Sequence, residues 1–265
     1  MKKLIIIGTC LLAACTTKQI TTNNTPPDGT ISINGKIYAT LFQQKAAEYR
    51  ALCFQAYNIA RLRLDEYKSV TAKPQAIITD IDETLLDNSP YEAHRVLQGK
   101  DYDAASWFEW TAKASADTMP GSASFLKYAA SKGVTVFYIT NREEKEKTST
   151  IQNLKRYDLP NADELHLMAR QNTSSKEARR QTVFNTYEIV LLLGDNLADF
   201  SALFDKKNVG ERLRNTNFSA ADFGNRFIVL PNPVYGDWES ALLNYNYKLT
   251  QGQKDSVIRA VLKAY

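Results

Sequence analysis

The run "AIITDIDETLLDNSPYEA", from Ala76 to Ala93, carries two aspartates one residue apart, Asp80 and Asp82, directly after four apolar or β-branched positions. Carboxylates at the end of a buried strand must be solvated, paired or bound to a metal ion. Three later strings hold complementary groups. "FYITNR" brings Thr140, Asn141 and Arg142, "SSKEARR" brings Lys176, and "GDNLADF" brings Asp195, Asn196 and Asp199. Phosphoryl transfer needs such parts: an in-line nucleophile, counter-charge for the equatorial oxygens, and a proton for the leaving alkoxide. Asp80 can serve as nucleophile, because carboxylates form aspartyl-phosphate intermediates. Asp82 can protonate the leaving group and then deprotonate the attacking water. Asp195, with Asp80 and the backbone carbonyl of Asp82, offers hard oxygen ligands to Mg²⁺. Thr140 and Lys176 can hold the non-bridging oxygens.

Each assignment has a plainer competitor. Asp80 and Asp82 can form a solvated strand-to-loop turn in which Thr84 caps a helix, and Asp199 can simply favour a helix N-terminus. Lys176 can be a surface residue pairing with an acid, and Arg179, one turn later, reads as structural.

Elements that place these strings at one edge are legible in the pattern. Five runs, "QAIITD", "VTVFYIT", "ELHLMA", "EIVLLLGD" and "RFIVLP", are short and mostly apolar on consecutive positions. Strands buried on both faces of a parallel sheet have that character. Between them lie helical candidates, "GSASFLKYAASKG" with Gly133 as a stop, "EEKEKTSTIQNLKRY", and "SSKEARRQTVFN" with Ser174 or Ser175 as N-cap. Alternating strands and helices predict an α/β fold, a doubly wound Rossmann-like parallel sheet. In such a sheet ligands bind outside the carboxyl ends of the strands, where the motif residues fall.

A long amphipathic helix is expected over residues 36–70, on the spacing of Phe42, Tyr49, Cys53, Ala56 and Ala60. Residues 88–118 interrupt the alternation with Tyr91, Tyr102, Trp107, Phe108 and Trp110 but no buried-strand run, which predicts a small, mainly helical cap over the sheet's end. Phe108 and Trp110 are expected to form that cap's own small core.

Taken together, "DIDETLLDNSPYE" and "GDNLADF" resemble the signature pair of the class C bacterial acid phosphatases, a lipoprotein family within the haloacid dehalogenase-like superfamily. "FYITNR" and "SSKEARR" resemble that superfamily's second and third motifs, and the likeness extends to "LPNPVYGDWE" near Tyr235. Any one string is a weak signal; four in this order are specific. The resemblance implies a Mg²⁺-dependent phosphomonoesterase that works through an aspartyl-phosphate, often on nucleoside 5'-monophosphates. It implies catalytic roles for Asp80, Asp82, Thr140 and Lys176, a metal ligand in Asp195, and Asp199 as an acid behind the metal. It also implies a substrate slot between the rings of Trp107 and Tyr235, near Asn141, where a base gains stacking energy without its edges being read. Two rivals share these residues: a phosphotransferase that passes the phosphoryl group to an alcohol, and a non-catalytic surface ligand-binding lipoprotein.

At 265 residues, 44% hydrophobic and 23% charged, the chain has globular composition. A net charge of +4 without a basic run longer than a pair gives no footprint for nucleic acid. The start, "MKKLIIIGTCLLAAC", has a charged beginning, an apolar stretch too short to span a bilayer, and small residues before Cys15. Leu12, Ala13, Ala14 and Cys15 resemble a lipobox, so residues 1–15 are expected to be a lipoprotein signal with lipidation at Cys15. Residues 16–35, rich in Thr, Asn and Pro, then read as a polar tether, and 36–265 as the catalytic domain. The expected product is exported and lipid-anchored to the bacterial envelope, at the outer membrane. Cys10 leaves with the signal and Cys15 carries lipid, so Cys53 remains as a lone buried thiol. His94 and His166 are the only histidines, and no His/Cys cluster has zinc spacing.

Overall fold

The computed structural model describes residues 31–265. The signal segment, Cys15 and the tether up to residue 30 lie outside the described residues. Among those described, no helix is long and apolar enough to cross a membrane.

Two helices come first, α1 (Ile31–Lys45) and α2 (Ala47–Glu66). Strand β1 (Gln75–Thr79) leads to the short strand β2 (Leu86–Asp87), helices α3 (Ser89–Val96) and α4 (Ala104–Thr111), and strand β3 (Asp117–Thr118). Next come α5 (Ser122–Ser131), β4 (Thr135–Glu143), α6 (Lys147–Arg156), β5 (Leu167–Arg170), α7 (Glu177–Thr186) and β6 (Glu188–Gly194). The chain ends with α8 (Val209–Phe218), β7 (Phe227–Val229), α9 (Asp237–Leu242) and α10 (Gln251–Val261).

All five expected strands are present in one parallel sheet of order β5-β4-β1-β6-β7. From β1 the chain builds outward to β5, then crosses back to lay β6 on the other side of β1. The strand order therefore reverses at β1, which opens the ligand crevice above its carboxyl end. Period two sorts the strand residues between faces. Ile77, Val136, Tyr138 and Leu193 join α2 and α5 in one buried cluster, whereas Ala76, Ile78, Phe137 and Leu192 join Val183 of α7 in the other. The register between β1 and β6 shifts at Ala76/Ile77, where Ile189 and Leu191 face consecutive β1 residues.

The insertion between Asn88 and Thr118 is a helical cap, α3 and α4, closed at its base by the antiparallel pair β2–β3. Its expected private core is not formed as read: Phe108 is exposed, with the Lys145 ammonium 5.0 Å from its ring centroid. Trp110 instead packs on the main core and donates from Nε1 to Asn88 Oδ1 at 2.8 Å. An aromatic spacing marks a helix face, but only the neighbouring sheet decides which ring is covered.

The expected N-terminal helix differs in two ways. It takes in residues 31–35, inside the segment read as tether, and it is interrupted at Ala46, whose backbone is extended (φ −76, ψ 126). The break lets α2 lie along the sheet and α5 while α1 leans on α3 and α10. Asp255 of α10 accepts from the backbone N–H of Ile31 and Ser32, each at 3.0 Å, and so secures a first turn that composition alone leaves without support. Tyr49, Cys53, Ala56 and Ala60 are buried on α2 as expected, whereas Phe42 is exposed. Helix α1 buries polar residues, Lys36, Thr40 and Gln43, and turns Tyr38, Leu41 and Phe42 outward.

Smaller differences have local causes. Strand β5 begins at Leu167 because the Asp163 carboxylate accepts from the N–H of Leu165 and of His166, each at 3.0 Å, and holds a turn there. The N-cap of α7 is Lys176, not Ser174 or Ser175; the Ser175 hydroxyl donates to Asp205 Oδ2 at 2.5 Å and accepts from the N–H of Glu177 only at 3.4 Å.

Candidate active site

Strand β1 ends one residue before Asp80, and the Asp80 N–H still donates to Leu193 O of β6 at 2.9 Å. That ladder bond fixes the backbone beneath the carboxylate. The residue is 8% exposed, and its carboxylate is ion-paired to Lys176 Nζ, delivered by the start of α7. The same ammonium binds Asp199 Oδ1 at 2.6 Å. Asp80, Asp195 and Asp199 each bring a carboxylate oxygen within 4.8 Å of the others.

Three acids around one lysine leave negative charge in excess, and burial amplifies it. Burial lifts the Asp80 carboxyl to about 7; Lys176 opposes the rise, and Asp199 and Asp82 add to it. Asp195 is pushed well above the usual carboxylate range by burial, Asp199 and Asp80, against the pull of the Asn232 amide, which donates to Oδ2 at 2.7 Å. A set of hard oxygens with uncompensated charge suits a divalent cation such as Mg²⁺. Asp199 thus stands with Asp80 and Asp195 in this cluster, whereas sequence reading placed it behind the metal.

Asp199 is held there from two sides. Its Oδ2 accepts from Asn196 N–H at 3.0 Å, closing a capping box at the 3-10 turn Leu197–Asp199. Arg180, fully buried, donates from Nη1 to Ala198 O at 2.7 Å and Asp199 O at 2.9 Å. Gly194 completes the fit: a Cβ on it would stand 2.5 Å from Asp199 Cβ and 2.7 Å from its Cγ, closer than real side chains approach. The glycine of "GDN" is needed for that close approach.

Asp82 behaves differently. Its carboxylate is gripped by Arg142, from Nη2 to Oδ1 at 2.7 Å and from Nε to Oδ1 at 3.0 Å and Oδ2 at 3.2 Å, and by the Asn88 amide at 2.8 Å. That carboxylate stands outside the three-acid cluster. Arg142 is 3% exposed and lies near the end of β4, whose edge runs on past Thr140 to Glu143.

Sequence reading noticed Arg142 but gave it no role, and missed Glu83 and Asn88. Glu83, with a left-handed backbone (φ 53), is fully buried. Its carboxyl accepts from Asn88 N–H at 2.9 Å and from the Tyr235 hydroxyl. A continuous chain therefore joins Tyr235, Glu83, Asn88, Asp82 and Arg142. Its signal in the sequence is only proximity: Glu83 and Asn88 lie within "DETLLDN".

The remaining candidates fall as follows. Thr140 is fully buried, and its hydroxyl accepts from Arg142 N–H at 3.1 Å, which leaves its O–H free to donate. Asn141 faces the crevice, with its side-chain oxygen bound by Arg179 Nη2 at 2.8 Å. Arg179 also donates from Nη1 to Thr140 O at 2.5 Å, the structural part expected of it. Asp80, Asp82, Asn141, Arg142, Lys176, Asp195, Asp199, Trp107 and Tyr235 all line one cavity of about 470 Å³. Trp107 is set edge-on to Tyr91, with ring centroids 5.0 Å apart. Neither histidine lines the cavity: His94 is exposed and His166 binds Asp163 at 2.8 Å.

Comparison with known proteins gives consistent matches. The family model for the HAD superfamily, subfamily IIIB (acid phosphatase), matches residues 7–238. The class C acid phosphatase of Bacillus anthracis shares 43% identity at a TM-score of 0.85, over 89% of this chain and all of that one. A tungstate-bound structure of that protein matches at the same identity and TM-score, over 89% and 99% of the two chains. Acid phosphatase 1 of Solanum lycopersicum is 25% identical over 164 residues, 60% of this chain and 57% of that protein. The stem 31 kDa glycoprotein of Glycine max is 26% identical over 164 residues, 60% and 58%. The match thus spans less than two thirds of the length of either plant relative.

Proposed function

The chain belongs to the subfamily IIIB acid phosphatases of the HAD superfamily, and on that premise we propose that it is a Mg²⁺-dependent phosphomonoesterase acting on small esters, nucleoside 5'-monophosphates among them. The observation that carries this reading is the buried Asp80 carboxylate, paired to Lys176 and facing two further acids at the reversal point of the sheet. That a related protein holds tungstate, a tetrahedral oxyanion like phosphate, supports it.

A divalent cation held by Asp80, Asp195, Asp199 and the Asp82 carbonyl would neutralise charge on the phosphoryl oxygens. The protein's own groups do the rest. Lys176 and the Thr140 hydroxyl orient the phosphoryl group, and Asp80 attacks phosphorus as the bond to the leaving oxygen breaks. Asp82 gives that oxygen its proton, and Arg142 with Asn88 keeps it aimed. In the second half Asp82 takes a proton from water, whose oxygen attacks phosphorus and releases Asp80 and inorganic phosphate. The test is hydrolysis of 4-nitrophenyl phosphate with Mg²⁺ and with chelator. Product analysis with an added alcohol separates hydrolysis from phosphotransfer.

Trp107 and Tyr235 supply aromatic surface for a base, worth about 1 kcal/mol beyond simple burial. Replacing either by Ala should lower kcat/KM for nucleoside monophosphates about tenfold while changing that for glycerol phosphate about twofold or less. An equal loss on both substrates removes the stacking role.

The protein is further proposed to be exported and anchored through lipid on Cys15. Cys15→Ser should move it from the membrane fraction to the soluble one; a variant that stays with the membrane refutes the anchor.

A further inference from the structure

The cavity also carries charge that phosphoryl transfer does not use. Lys36 of α1, Glu92 of α3, Asp101 from the loop after α3, Glu239 of α9 and Lys254 of α10 all line it. Both lysines are committed. Lys36 Nζ binds Asp101 Oδ1 at 2.8 Å and Glu239 Oε2 at 3.3 Å, and Lys254 Nζ binds Asp101 Oδ2 at 2.6 Å. Arg95, the other nearby cation, is taken by Asp103 at 2.5 Å and by Asp101 O at 2.7 Å.

Glu92 is the acid left over. It is 6% exposed, faces the cavity, and its carboxyl has neither hydrogen bond nor ion pair among the described residues. Such a group is costly unless something else completes it. Burial lifts its carboxyl to about 7; Lys36 and Arg95 pull it down, and Asp101 and Glu239 push it up. Three carboxylates against two ammonium groups leave room for one more positive charge. A neutral hydroxyl would give Glu92 a hydrogen bond but leave that imbalance.

We propose that Glu92, backed by Asp101 and Glu239, is a subsite for an ammonium group on the alcohol half of a phosphomonoester substrate. This rests on the phosphomonoesterase reading above, with the phosphate end at Asp80 and Lys176 in the same cavity. A cavity of about 470 Å³ holds both ends of a small molecule. Selectivity follows because a simple alkyl substrate of equal length would leave the buried acid unpaired, and a hydroxyl would pair it without balancing its charge.

The test compares ω-aminoalkyl phosphates with ω-hydroxyalkyl and simple alkyl phosphates at chain lengths of two, four and six carbons. At one length or more the amine should exceed both partners in kcat/KM by about tenfold. Glu92→Gln, of the same shape, should bring that ratio to about one, and Glu92→Asp should keep part of it. A ratio near one at every length, a ratio unchanged in Glu92→Gln, or an equal preference for the hydroxyl overturns the ammonium subsite. Calorimetric titration of the unaltered protein with the matching ω-amino-, ω-hydroxy- and simple alkylphosphonates, whose P–C bond is not hydrolysed, reads the preference without turnover. A protein that hydrolyses none of the phosphate esters, 4-nitrophenyl phosphate included, refutes the phosphatase reading, and the titration still decides the subsite.

Discussion

Asp80→Asn is expected to lower kcat/KM for 4-nitrophenyl phosphate by about 10⁴-fold or more. An amide oxygen of the same size cannot form the phospho-enzyme, whereas Lys176 keeps Asp199 as a partner and the pocket keeps its shape. Asp82→Asn should fail in another way. If Asp82 protonates the leaving oxygen, the loss grows with the basicity of that oxygen: about tenfold for the acidic nitrophenol and about 10³-fold for an alkyl phosphate. Steady-state rates on both substrates, with melting temperatures to confirm folding, make the comparison. Asp80→Asn retaining more than about 1% of activity, or Asp82→Asn losing equally on both esters, removes the respective role.

Removing the divalent cation is expected to abolish turnover and to weaken the fold in a pH-dependent way. Without metal, Asp80 holds its proton up to about 7 and Asp195 is shifted in the same direction. A carboxyl that binds its proton more tightly in the folded state stabilises the fold fully below its unfolded value, about 4. That contribution is lost as pH rises through the folded value. The metal-free protein should therefore lose on the order of a few kcal/mol between about pH 4 and pH 7. A cation replaces the protons, so its benefit grows over the same interval. Saturating Mg²⁺ should raise the melting temperature by about 5–10 °C at about pH 7.5, and by clearly less at about pH 5. Scanning calorimetry with Mg²⁺ or chelator reads this directly. An increment independent of pH would show that the cation binds away from these acids.

Much of this architecture is visible in one dimension because its causes are short-range. Unbroken apolar runs such as "EIVLLLGD" announce doubly covered strands, and all five strands fell where such runs lie, with ends displaced by a few residues. The strand-end motifs were legible for the same reason: each is a local string, and the rule for parallel sheets puts every one at the same edge. The failures were of another kind. Helix α1 buries Lys36, Thr40 and Gln43 and exposes Phe42, because its cover is the cap and α10 rather than the apolar sheet. No apolar periodicity can report such a face.

The sequence by itself determined the fold class, the cap insertion, and the set of acids, hydroxyl and lysine gathered at one end of the sheet, since these depend on period, composition and residue order. Tertiary structure alone decided how that set is shared out. Arg142, 60 positions from Asp82, takes its carboxylate away from the acid cluster. Tyr235 reaches Glu83 across 152 positions, and Asp199 is drawn in beside Asp80 by Lys176, Arg180 and the missing side chain of Gly194. Glu92 stands unpaired only because every cation near it is committed elsewhere. The division has a physical reason: local pattern fixes which groups arrive at a site, but short-range charge pairing in a buried space, which only the folded chain creates, fixes which of them is left free to act.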